Sequence, residues 1–258
     1  MIQNIIKDKP TRLFIVLGGL FITNAILAEV IGVKIFSLEE TLGLPKASID
    51  LLGEQDLPFS LSVGVIPWPV IFIMTDIINE YYGVKGVRFL SLLTVLLISF
   101  AFVVFFFAIH TVPDAGWRFR ELQPGVTDKQ SAYAQVLGQG MNIIVGSITA
   151  FLIGQLVDAL IFRGIKKATG EKRIWMRATL STLVSQFIDS IVVTFVAFYL
   201  YQNFSLATVT AWAVTAYMYK FLVAILMTPV IYLVHGVIER YLGKSLAAEM
   251  KAAAMKGV

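Results

Sequence analysis

Long apolar stretches dominate this chain and limit what it can fold into. Six mostly apolar segments lie at about 12–36, 61–82, 88–110, 136–162, 177–201 and 209–239. About 20 apolar residues in a helix cross a bilayer, and lipid offers no other partner for backbone polar groups than the helix itself or a closed barrel. With 57% hydrophobic residues and a mean hydropathy of +0.79, the chain has too much apolar surface for a soluble domain of this size. We expect an all-α polytopic membrane protein, with residues 1–258 forming a single domain of six transmembrane helices.

The basic residues fall in alternate connections and predict the orientation. Short cytoplasmic loops are enriched in Lys and Arg. The basic positions on one side are Lys7, Lys9, Arg12, Lys85, Arg88, Arg163, Lys166, Lys167, Lys172, Arg173, Arg177, Arg240, Lys244, Lys251 and Lys256. Both termini should therefore be cytoplasmic, in a multi-pass protein of the bacterial cytoplasmic (inner) membrane. Two groups of three helices would then have opposite orientations, which permits an inverted repeat.

The first apolar segment follows basic residues, as a signal peptide would. Its apolar part, from Leu13 to Phe36, is longer than the apolar region of a signal peptide. We therefore expect an uncleaved first helix.

Polar residues recur on one face of three segments. Ionised side chains are costly in a bilayer and usually face the interior of a bundle or a water-filled cavity. In the fifth segment Ser185, Gln186 and Asp189 share a face, and Leu180, Phe187 and Ile191 lie away from it. The candidate substrate-binding residues on the three faces are Trp68, Phe72, Asp76, Asn79, Glu80, Gln155, Asp158, Gln186 and Asp189.

Rings, amides and carboxylates on shared faces suit a flat heterocycle. Aromatic rings stack on its faces, carboxylates accept from paired N–H donors, and amides both donate and accept. We expect Trp68 or Phe72 to stack, with Tyr81 and Tyr82 as reserves, in one pocket near mid-membrane or toward the cytoplasmic side. The same acids could instead carry protons, bind a metal cation or join helices.

Two carboxylates one turn apart, Asp76 and Glu80, form the candidate pair for proton coupling. Neighbouring carboxylates resist joint ionisation unless a cation compensates them. The deep cation Lys220 could neutralise one of the acids. Glu80 could alternatively lie solvated at the cytoplasmic boundary.

Other functions find less support. The chain has no cysteine and no phosphate-binding Gly-x-x-x-x-Gly-Lys-Ser/Thr loop. His235 with Glu239 is the one catalytic candidate, and these residues are expected to be a solvated pair at a helix end. We expect no enzyme activity, no metal, no cofactor and no nucleic-acid partner.

Three stretches resemble a known family. "TDIINEYYG", "GQLVD" and "TGEKRIWMRATLSTLVSQFIDS" are similar to the queuosine precursor transporter family, formerly called vitamin uptake transporters, and the likeness covers nearly the whole chain. It implies import of 7-cyano-7-deazaguanine or 7-aminomethyl-7-deazaguanine, salvaged for tRNA modification, by a secondary carrier. The motif positions it carries over are Asp76, Asn79, Glu80, Tyr81, Tyr82, Gln155, Asp158, Gln186 and Asp189.

The partners implied are a 7-deazapurine substrate and membrane lipid, and a homodimer stays open. An alternative is a substrate-binding membrane subunit that needs a separate ATPase module. The role of the two long loops on the less basic side is not assigned.

Overall fold

The computed structural model describes residues 7–45, 48–51, 53–58, 60–120, 128–138, 144–170, 174–200 and 204–256. Its helices are α1 Lys9–Ile31, α2 Leu38–Thr41, α3 Trp68–His110, α4 Ala115–Arg118, α5 Lys129–Gly138, α6 Ile144–Thr169, α7 Ile174–Thr194, α8 Leu206–Leu242 and α9 Lys244–Lys256, with a 3-10 turn at Val63–Val65 and a π-helical turn at Phe195–Leu200. Its strands are β1 Ile35–Ser37, β2 Ser48–Leu51, β3 Glu54–Pro58 and β4 Ser60–Ser62. β1 pairs with β4, and β2 pairs with β3, both antiparallel. Two of the basic residues used for orientation, Lys172 and Arg173, lie outside the described residues.

Within the described parts of the chain, five helical stretches are long and apolar enough to cross a membrane. They are Lys9–Ile31, Val63–His110, Gly146–Thr169, Thr179–Leu200 and Leu206–Leu242. Large apolar side chains such as Leu96, Phe100 and Leu233 are exposed on the outside of the bundle. Exposed apolar surface of this kind marks a membrane-facing protein, and the predicted all-α polytopic membrane architecture is confirmed.

The second and third predicted segments meet in α3, which folds back on itself at Gly83. This residue has φ +70° and ψ −175°, outside the helical region. Phe72 and Ile98 line the same cavity, although the roughly 26 residues between them would extend about 39 Å in a straight helix. α3 is therefore a hairpin with a first arm, 68–82, and a second arm, 84–110.

The first arm begins later than the predicted segment because of two prolines. Residues 63–65 form a 3-10 turn, Pro67 is the N-cap and Pro69 stands in the first helical turn. Proline is tolerated there because the first N–H groups of a helix have no partner within it. The two prolines of "IPWPV" therefore separate the 3-10 turn from the helix that begins at Trp68.

One end of the bundle brings together the start of α1, the turn at Gly83 and the end of α8. The Tyr82 hydroxyl donates to Pro10 O at 2.7 Å. At α8, Lys9 Nζ donates to Tyr241 O at 2.9 Å and Arg12 Nε to the Tyr241 hydroxyl at 2.6 Å. We call this the termini end, since α9 packs here as well, and we call the opposite end, which carries β1 to β4, the far end.

An ion pair at the far end joins the residues on either side of 121–127. Arg118 donates to both Asp128 carboxylate oxygens, at 3.0 and 2.8 Å. These charged hydrogen bonds from Arg118 hold the pKa of Asp128 below its usual value.

The turn at Gly83 should not accept a side chain. A Cβ there would lie 2.8 Å from Ala254 O, and the positive φ disfavours any other residue. We expect Gly83→Ala to destabilise the protein by about 1–3 kcal/mol, measured as thermal unfolding in detergent. Gly19→Ala is the matched control, because nothing lies within 4 Å of its added Cβ. Equal unfolding temperatures for the two variants would contradict this account of the turn.

Candidate functional site

A cavity lies between α1, both arms of α3, α6 and α7. Its volume is about 70 Å³, several times the roughly 10–15 Å³ that one water needs. Its walls combine apolar, aromatic and polar side chains: Ala25, Ala28, Glu29, Trp68, Ile71, Phe72, Ile98, Ser147, Phe151, Gly154, Gln155, Gln186, Asp189 and Val193. A mostly apolar cavity with a few converging polar groups is typical of a small-molecule site.

Five of the nine candidate binding residues line this cavity: Trp68, Phe72, Gln155, Gln186 and Asp189. They come from the beginning of the first arm, the middle of α6 and the later part of α7. The cavity therefore extends from the middle of the bundle toward the far end. Periodicity shows which residues share a face and leaves open at which depth the faces separate, so the position near mid-membrane or toward the cytoplasmic side stays a prediction.

The aromatic wall is formed by two rings set nearly at right angles. The Trp68 and Phe72 ring centroids are 5.5 Å apart, with an interplanar angle of 82°. A flat ligand can therefore lie parallel to one ring while its edge meets the other. Trp68 is half-buried and Phe72 is buried.

The two glutamines that line the cavity differ in their hydrogen bonds. Gln155 Oε1 lies 3.0 Å from the Thr75 hydroxyl, and the same hydroxyl lies 2.9 Å from Ile71 O, the other acceptor for its one proton. Gln186 Oε1 is buried and has no hydrogen-bond partner among the described residues. Buried polar atoms are nearly always hydrogen-bonded, so the Gln186 oxygen is an acceptor suited to a ligand donor.

Asn79 and Asp158 join helices on the termini side of the cavity. The Asn79 amide donates to Ala159 O at 3.2 Å. Asp158 Oδ1 accepts from Ser185 at 3.3 Å and from Thr182 at 3.5 Å. Asp76 is also buried, and it does not line the cavity. These three predicted binding residues lie in a packed polar layer between the first arm, α6 and α7.

Glu80 lies still closer to the termini end and is fully buried. Its Oε2 is 3.0 Å from Lys166 Nζ, and its Oε1 is 3.9 Å from Lys251 Nζ. The alternative of a solvated Glu80 is therefore wrong. Two lysines lie close enough to compensate this carboxylate. The sequence predicted only that Glu80 forms a pair with Asp76.

Lys166 was assigned to an orientation-setting loop, yet its side chain is only 3% exposed. The sequence held a signal for this placement. Lys166 follows Asp158 and Phe162 at intervals of four residues, and side chains four apart share a helix face. Asp158 and Phe162 are both buried.

The expectation of a solvated His235 was also wrong. His235 is buried, with Nδ1 3.5 Å from the Tyr81 hydroxyl, and Glu239 accepts a hydrogen bond from Lys251 at 2.7 Å. Tyr81 and Tyr82, the reserves for stacking, lie at the termini end and do not line the cavity. Tyr82 packs instead on Phe14, with ring centroids 4.8 Å apart.

Three further polar residues belong to the site. Ser147 donates to the Glu29 carboxylate, and both line the cavity. Lys220 Nζ lies 2.6 Å from Asp189 Oδ2, which confirms that Lys220 neutralises one of the membrane acids. Among the residues that the structure describes, no three side chains of His, Asp or Glu are grouped as ligands for a metal ion.

A helical membrane domain with a cavity of rings, amides and acids is typical of a membrane protein that binds a small molecule. The family described as "Putative vitamin uptake transporter" matches residues 62–234, more than half of the chain, and the chain belongs to this family. The resemblance found in the sequence is thereby confirmed, and the protein is a multi-pass bacterial membrane protein.

One relative is 25% identical over 196 residues, which cover 72% of this chain and 74% of the relative. It is named "Probable queuosine precursor transporter" and comes from Bacillus subtilis (strain 168). No solved structure matches the chain.

The buried pair of Glu80 and Lys166 should be sensitive to the loss of its cation. Removing one partner of a buried ion pair costs about 3–5 kcal/mol, and Lys251 should compensate a part of the charge. We expect Lys166→Met to lower the unfolding temperature in detergent and added Glu80→Gln to recover most of the loss. Lys167→Met, at the exposed neighbouring position, is the control. An unchanged unfolding temperature for Lys166→Met would show that the pair does not stabilise the fold.

Proposed function

We propose that this transporter imports a queuosine precursor, 7-cyano-7-deazaguanine or 7-aminomethyl-7-deazaguanine, as a secondary carrier without catalysis. The observation that carries the proposal is the cavity wall in which two rings, Trp68 and Phe72, lie beside the amide side chains of two glutamines. A deazaguanine has flat faces for stacking and an edge that carries both donors and acceptors. The name of the Bacillus subtilis relative supports the same substrate class.

In the proposed complex, Trp68 stacks on the heterocycle and Phe72 meets its edge. Gln186 Oε1 accepts from a ring or amino N–H, and the Gln155 amide donates to an acceptor on the same edge. A bicyclic ligand is larger than the cavity volume of about 70 Å³, so we expect it to enlarge the cavity or to extend beyond it. Trp68, half-buried at the start of the first arm, would contact the part of the ligand nearest that end.

We further propose six membrane crossings in a single domain, with both termini cytoplasmic, as a monomer or a homodimer. The fold-back of α3 at Gly83 supplies two crossings from one helix. The termini end carries Lys9, Arg12 and the basic end of α6, as the preference of cytoplasmic loops for Lys and Arg requires. The cavity then lies on the outer side, and the polar layer with Glu80 closes the inner side.

Alternating access gives the buried candidates outside the cavity a role. When the inner side opens, Asp76, Asn79, Glu80 and Asp158 become accessible and can contact the substrate on its way to the cytoplasm. We propose proton coupling at the pair of Asp76 and Glu80, two buried carboxylates one turn apart in the first arm.

Both glutamines should contribute to affinity. Losing one partner leaves a buried ligand group unsatisfied, at about 1–3 kcal/mol or roughly ten- to a hundredfold in Kd. We expect Gln155→Ala and Gln186→Ala each to weaken binding of the two precursors to this extent, measured by calorimetry on purified protein. Gln130→Ala is the control, because Gln130 lies in α5 and does not line the cavity. If both cavity variants bind like the parent, the substrate site is elsewhere.

The carrier mechanism can be tested in liposomes that contain the purified chain alone. With an imposed pH gradient, inside alkaline, we expect the precursor to accumulate, and we expect Asp76→Asn to abolish accumulation and retain some exchange. Equal uptake with and without the gradient would instead indicate facilitated diffusion. Binding without any uptake would favour a subunit that needs an external ATPase.

A further inference from the structure

Lys220 lies on α8, a helix that contributes no described side chain to the cavity, yet its ammonium group contacts two residues that line it. Nζ is 2.6 Å from Asp189 Oδ2 and 3.5 Å from the centroid of the Trp68 ring. The Lys220 and Asp189 side chains are both buried, with 7% and 8% of their surface exposed. The Lys220 ammonium group thus contacts both an acid, Asp189, and an aromatic ring, Trp68, of the candidate binding site.

These two contacts determine the net charge that this wall of the cavity presents to a ligand. The ion pair cancels the Asp189 carboxylate, so this acid offers no net attraction to a cation in the cavity. The ammonium also covers one face of Trp68, a favourable cation–π contact, and leaves the other face for a stacked ligand. A positive group brought beside Trp68 would meet Lys220 and gain little from Asp189.

We propose that Lys220 is a specificity-determining residue that disfavours positively charged substituents on the substrate. This inference rests on the proposed function, since it concerns the choice between the two precursors. They share one ring system and differ at position 7, where the cyano group is neutral and the aminomethyl group is an ammonium ion at neutral pH. With Lys220 present, the site recognises a ligand by the hydrogen-bonding groups on the edge of the heterocycle. A positive charge on the ligand then adds little to its affinity.

Glu29 is the other acid that lines the cavity, and its carboxylate accepts a hydrogen bond from Ser147. None of the variants below changes Glu29 or Ser147. The ratio of Kd values for the cyano and aminomethyl compounds therefore reports how the cavity responds to a change of charge at Lys220 or Asp189.

The test measures this ratio in the parent and in four variants by calorimetry. Lys220→Met should shift the ratio about tenfold toward the aminomethyl compound, because Asp189 is then uncompensated. Asp189→Asn should shift it in the opposite direction, because Lys220 is then uncompensated. Lys220→Arg preserves the charge and should leave the ratio near that of the parent, and Asp189→Asn combined with Lys220→Met should restore it.

The outcomes separate charge selection from a structural role. A structural role would weaken both compounds equally and leave the ratio fixed, and a fixed ratio in Lys220→Met and Asp189→Asn overturns the inference. If Lys220→Met does not fold, the nearly isosteric Asp189→Asn still tests it through the opposite shift. If the parent binds neither compound, the proposed function fails and this inference with it, whereas binding with a fixed ratio refutes this inference alone.

Discussion

The high cost of an ionised group in a medium of low dielectric constant governs this structure. Several acids lie within the membrane-spanning helices, and two of them have lysine partners from distant parts of the chain: Glu80 with Lys166 and Lys251, and Asp189 with Lys220. Each ion pair joins different helices, so the charges are compensated only when those helices pack against each other. A buried pair gives less net stability than its short distance suggests, because both ions lose their hydration. Its larger effect is to disfavour arrangements of the helices in which a charge is left alone.

The two ends of the bundle differ as a result. At the termini end, α1, α6, α8 and α9 converge on the turn of α3, and hydrogen bonds from Tyr82 and Arg12 join the first helix to the rest. Toward the far end, the helices separate around a cavity with a half-exposed tryptophan. The carrier mechanism proposed above requires one closed and one accessible side at any time, and the different polar contacts along the two halves of the first arm are consistent with that requirement.

Helical periodicity predicted the faces of the site well. In α7, Ser185, Gln186 and Asp189 are buried, and Leu180 and Phe187 are exposed as predicted. This succeeded because the angle between successive side chains is fixed in a helix, whatever the helix packs against.

What depends on contacts between helices could not be predicted in this way. Lys166 and His235 stand near helix ends, where solvent is the ordinary expectation, yet both are buried in contact with α3, through Glu80 and Tyr81. Likewise, Gln155 and Asp158 share one face of α6, and helical periodicity does not indicate at which depth that face separates from the neighbouring helices. Gln155 consequently lines the cavity, and Asp158 bonds to α7.

The position of α9 has a consequence for how the protein is made. Glu80 precedes both of its lysine partners in the chain and is therefore synthesised before Lys166 and Lys251. An ionised carboxylate is costly to bury in a membrane without a partner, so this acid depends on residues that are translated later. The helix that follows Gly243 thus supplies one of the last charges that the first arm of α3 requires.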